Sequence, residues 1–172
     1  MKQVTNFTLI LIISILLAGI YGIIHDQITF TISPEYYTLL KFQQFNIKNL
    51  PLHTRIKVGI VGFLATWWVG LFLGFVYAFI SLFRDSKKIL KVTIISILIN
   101  LCITFIFGIL GYLFAVLFLS PENTNWYIPP GTKDIHNFIN VGSIHNFGYI
   151  GGIAGLVIGI IYLIQKANLV FE

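Results

Sequence analysis

Four histidines and six acidic residues carry the chemistry available to this 172-residue chain. Imidazole and carboxylate together form the donor set that holds zinc and related transition metals. His25, Asp26, Glu35, His136 and His145 make up the candidate metal-ligating set, with Asp26 directly following His25. The spacing is not a metal signature, because neither H-x-x-x-H nor H-E-x-x-H occurs on a single helix. The same residues also suit a hydrogen-bonded cap, in which His25, Asp26, Glu35 and His145 satisfy loop backbone and each other; this is the plainer expectation. His53, between Pro51 and Arg55, reads as an exposed residue outside the set.

Other chemistries find less support. Cys102 is the only cysteine, which excludes an intrachain disulfide and a two-thiol relay. The glycines from Gly148 to Gly159 lie on an apolar helix and lack the lysine of a phosphate-binding loop. A haem between helices needs histidines at matching depth, which only His25 and His145 offer. No Ser-His-Asp arrangement follows from spacing, so no catalytic residue is assigned and no cofactor is indicated.

The elements that position these residues are membrane spans. Hydrophobic residues make up 57% of the chain and charged ones 10%, with a mean hydropathy of +0.90, so burial in lipid is the natural way to hide them. Four apolar blocks, at about 7–24, 58–83, 92–119 and 147–164, predict an all-α four-transmembrane-helix bundle in a single domain over 1–172. The first block is longer than a signal-peptide core and no A-x-A pattern follows it, so it reads as a retained helix. As bounded here, the blocks contain no acid or base, which argues against a proton-coupled transporter.

Arg84, Asp85, Lys87, Lys88 and Lys91 form a short basic link between the second and third spans, and Lys2 and Lys166 fall on the same side. The positive-inside rule then puts both termini in the cytoplasm. The formal charge of +5 sits beside the spans, where it meets lipid headgroups rather than nucleic acid.

Two outer loops remain, 25–57 and 120–146. In the first, Gln27 to Ser33 alternates apolar and polar residues and predicts a short strand. Ser33-Pro34-Glu35 then starts a short helix with Ser33 as its cap. The strand and helix together form an extramembrane cap. The second loop is rich in Pro and Asn until Asp134, which can cap another short helix.

Small residues recur every four positions in each span: Ser14, Ala18, Gly22; Gly62, Thr66, Gly70, Gly74; Ser96, Asn100, Thr104, Gly108; Gly151, Gly155, Gly159. Such strips let helices approach closely, within the bundle or between copies. Asn100 reads as an interhelical hydrogen-bonding residue, and Trp67 and Trp68 as bundle-filling side chains.

The stretches HDQITFTISPEYY (25–37), ATWWVG (65–70) and IHNFGYIGG (144–152) resemble an uncharacterised family of small bacterial four-span membrane proteins. The resemblance covers most of the chain and implies an inner-membrane location, with no known activity to transfer. The functional expectation is a non-enzymatic membrane component that meets a partner protein or a second copy in the bilayer. The alternative is a metal-binding or metal-dependent protein with its site at the outer interface.

Overall fold

The computed structural model describes residues 2–84 and 88–167. Asp85 and Lys87, which contribute to the orientation argument, lie outside the described residues. Four long helices dominate: α1 (Lys2–Ile32), α3 (Thr54–Ser81), α4 (Ile89–Phe118) and α5 (Ile135–Lys166). Each is long and apolar enough to cross a membrane, the arrangement of a multi-pass membrane protein. A π-helical turn (Tyr36–Lys41) runs into a short helix, α2 (Phe42–Gln44), and caps one end of the bundle.

The helices associate as two antiparallel hairpins, α1 with α3 and α4 with α5. Small residues make each pair possible, since lipid offers helices little reward for hiding apolar surface. In the first pair a Cβ on Gly70 would stand 2.6 Å from the Ser14 carbonyl oxygen, and one on Gly62 would stand 2.6 Å from the Gly22 carbonyl carbon. Thr66 hydrogen-bonds across the pair, its hydroxyl donating to the Ala18 carbonyl at 2.8 Å. In the second pair a Cβ on Gly151 would lie 2.9 Å from Thr104 Cα, and one on Gly155 at 2.9 Å from Asn100 Cα. Ser143 donates across to the Gly111 carbonyl at 2.8 Å. Contact between the hairpins is sparser, and Asn100 contributes to it by donating to the Tyr77 hydroxyl at 3.4 Å.

Four expectations are corrected. The predicted strand at 27–33 does not form; α1 runs on through Ile32, and no strand occurs among the described residues. Alternation over so few residues also fits a helical face. Gly22, Asp26, Thr29 and Ser33 are buried at helical spacing, and the Thr29 and Thr31 hydroxyls donate to the His25 and Gln27 carbonyls one turn back. At the other end, the short helix begun by Asp134 and the fourth span are one helix, because nothing between Val141 and Asn146 breaks it. Gly142 in that stretch gives room to the Trp126 ring.

The connections between the long helices, 33–53 and 119–134, are therefore shorter than the outer loops 25–57 and 120–146, and the helices, unlike the apolar blocks within them, carry ionisable groups. His25 and Asp26 lie about two turns inside the end of α1, and His145 about three turns into α5. Finally, Trp67 and Trp68 are 37% and 52% exposed and point away from the bundle. Gly62, Gly70 and Gly74 occupy the face of α3 that meets α1, which leaves the tryptophans the opposite side.

The caps follow the sequence closely. The Tyr36 amide donates to Ser33 Oγ at 3.4 Å. Asp134 accepts from the Asn137 amide at 3.0 Å and from its side chain at 2.8 Å. These bonds hold the Asp134 carboxyl below its ordinary value, so its stabilisation is present above the unfolded-state pKa and is lost as pH falls through the lower folded-state value. Asp134→Ala should weaken the first turn of α5 by about 1 kcal/mol. The protection of the Asn137 amide, its exchange relative to an unfolded reference at the same pH, should fall in this variant, and in the wild type on acidification.

Candidate functional site

The bundle end under the cap collects polar side chains from both hairpins. His25 and Asp26 come from α1 and His145 from α5. His25 Nδ1 lies 3.3 Å from Asp26 Oδ1, with the two side chains only 12% and 5% exposed. The His25 and His145 rings meet edge to face at a centroid distance of 5.0 Å. One ligand atom from each of His25, Asp26 and His145 can be chosen so that all lie within 4.8 Å of one another.

Aromatic rings hold these groups in place. Tyr21, four residues before His25 and on its helix face, stacks on the His25 ring at 5.5 Å. Tyr36 lies nearly parallel to the His145 ring, 5.2 Å away at 11°, and packs on Phe138 of the same helix. The π-helical turn allows Tyr36 and Tyr37 to be buried side by side, with ring centroids 5.8 Å apart. The Tyr37 hydroxyl bonds Thr29. Burial, with the Asp26 charge adding to it, raises the Tyr37 phenol well above its ordinary value and keeps it a hydrogen-bond donor.

Lys41 closes the outer edge, its ammonium 5.6 Å from the Tyr36 ring centroid and donating to Gln44 Oε1 at 3.1 Å. Burial pushes this amine down, against the pull of the Asp26 carboxylate. Gly108 on α4 faces the His25 ring, with Nε2 4.0 Å from where a Cβ would stand.

Two polar atoms here are left over. His145 Nε2 and the Tyr21 hydroxyl are buried without a hydrogen-bond partner. Native interiors pair nearly all such groups, and this orphaned imidazole nitrogen lies beside a second histidine and a carboxylate.

No protein-family model, curated protein or solved structure matches the chain.

The other sequence candidates lie elsewhere. Glu35 accepts from the Lys133 and Asp134 amides at 3.1 and 2.9 Å, tying the cap to the start of α5. His136 is exposed on the first turn of α5. His53 is exposed and caps α3, its Nδ1 accepting from the Arg55 amide at 3.3 Å. Tyr21, Tyr37, Lys41 and Gly108 were not singled out from the sequence as site residues. Only Tyr21 carried a local signal, its spacing of four from His25. Glu35→Ala should free the Lys133 and Asp134 amides, detectable as faster exchange at both with the four long helices intact.

Proposed function

We propose that this chain is a multi-pass membrane protein that holds a divalent transition-metal ion, with His25, Asp26 and His145 as its ligands. The observation that carries this reading is the buried, unpartnered Nε2 of His145 beside two further donors. Two neutral imidazoles and one carboxylate suit Zn²⁺, and three protein ligands leave one coordination position open. The basic flank of Lys2, Arg84, Lys88, Lys91 and Lys166 supports an orientation with both termini in the cytoplasm and the metal site towards the outer face of a bacterial inner membrane.

Metal analysis of protein purified in mild detergent tests this directly. The wild type should take up one equivalent of Zn²⁺. His25→Ala and His145→Ala should lose it, and His136→Ala and His53→Ala should keep it. A wild-type protein that stays metal-free in excess Zn²⁺ ends the proposal.

A second reading, a membrane component that packs on a partner protein or a second copy, rests on one surface. Most of the small-residue strips are used inside the hairpins, but Gly148 and Gly152 have nothing within 4 Å. They lie beside the exposed Tyr149 and Ile153 on the outside of α5. Cross-linking through a cysteine at position 152, with Cys102 replaced by Ser, would report such a contact.

A further inference from the structure

The donors of the site are divided between the two hairpins, and this division has a mechanical consequence. His25 and Asp26 belong to the α1/α3 hairpin, whereas His145 belongs to α4/α5. Within each hairpin the backbones are in van der Waals contact at glycines, so neither can tighten further. Between them the seam is less filled. Below the histidines lies a small crevice of about 20 Å³ lined from both sides, by Ser14, Gly70, Gly74 and Tyr77 of one hairpin and Asn100 and Leu101 of the other. The hydrogen bonds that cross there are long, Tyr77 to the Ser96 carbonyl at 3.5 Å and Asn100 to Tyr77 at 3.4 Å.

The donor spacing is also wider than a bound metal permits. Zn–N and Zn–O bonds of about 2.0–2.2 Å at tetrahedral angles put ligand atoms about 3.3–3.6 Å apart. The donor atoms of His25, Asp26 and His145 spread over as much as 4.8 Å. A metal can complete its bonds only by drawing α5 towards α1 or by turning the imidazoles, and the rings of Tyr21 and Tyr36 stacked on them resist turning.

We propose that metal occupancy is a clamp: loading the site pulls the two hairpins together and closes the seam, and unloading lets them part. The proposal rests on His25, Asp26 and His145 being a metal site, and it adds that the ion sets the spacing of the bundle halves. It makes the protein a membrane element whose shape responds to metal at the outer bundle end.

Electron-spin distance measurements on the full chain test it. In a Cys102→Ser background, labels at Ile56→Cys on α3 and Ile153→Cys on α5 report across the seam. Labels at Ile20→Cys and Ile56→Cys report within one hairpin. All three positions are exposed, at 54%, 68% and 52% for Ile56, Ile153 and Ile20. The cross-seam distribution should shorten and narrow when Zn²⁺ is added to chelator-stripped protein, and chelator should reverse the change. The within-hairpin distribution should not move, and His145→Ala should abolish the response. Should His145→Ala fail to fold, His145→Gln keeps much of the side-chain volume with an amide, a far weaker ligand, in place of the imidazole.

Stoichiometric Zn²⁺ uptake with an unchanged cross-seam distribution overturns the clamp and leaves the metal site standing. A Zn²⁺-induced narrowing that survives in the His145 variants also overturns it. Absence of Zn²⁺ uptake by the labelled wild type overturns both the site and the clamp.

Discussion

Added Zn²⁺ should raise the thermal unfolding midpoint of the metal-free protein, because a ligand that binds only the folded state stabilises it by mass action. At free metal about a hundredfold above the dissociation constant the gain is about 2.7 kcal/mol. His25→Ala and His145→Ala should show no response to metal. Asp26→Asn separates charge from shape, since the amide keeps the size of the carboxylate but is a far weaker ligand. Its Zn²⁺ response should be much reduced while its metal-free midpoint stays near that of the wild type. A midpoint unmoved by Zn²⁺ in the wild type would remove the metal reading. The same loss confined to the His136 variant would relocate the site to the surface.

The second large effect concerns the α1/α3 hairpin. Gly62→Leu should destabilise the fold by about 3 kcal/mol, the upper part of the range for overpacking. The new Cβ would stand 2.6 Å from the Gly22 carbonyl carbon and 2.9 Å from the Ile23 amide nitrogen, and backbone atoms cannot swing aside as a side-chain tip can. The control is Gly152→Leu on α5, where nothing lies within 4 Å. That change should leave the midpoint nearly unaltered, or raise it slightly through better helix propensity. Thermal unfolding of both variants in one detergent gives the comparison. Equal losses in both would mean that hairpin packing is not what distinguishes the glycines.

The His25–His145 pairing shows where sequence reading succeeds and where it stops. Their placement at the outer ends of the first and fourth apolar blocks suggested one level in the membrane, and the rings do meet. Glu35 and His136 had the same donor chemistry and lie outside the cluster. Glu35 sits past the end of α1, where the exposed amides of Lys133 and Asp134 compete for its carboxylate. Residue type gives a list of donors, and only the path of the chain decides which of them converge. The long helices run past the ends of the apolar blocks for a related reason. Hydropathy marks where lipid-like residues stop, whereas a helix continues as long as its polar groups find partners. Arg55 supplies such partners to Gln27 and Thr31 of α1 beyond its apolar block.

The amino-acid sequence alone determined that there are four spanning helices, which strips on them are small, and where Ser33 and Asp134 begin helical turns. These are local matters of hydropathy, side-chain size and capping, read over a few neighbouring residues. The tertiary structure decided that the strips zip α1 to α3 and α4 to α5. It also decided that Trp67 and Trp68 face outward and that His25, Asp26 and His145 share one pocket beneath Tyr36 and Tyr37. Those outcomes depend on which helix faces which, and residues far apart in the chain set that through backbone contacts that only the assembled bundle contains.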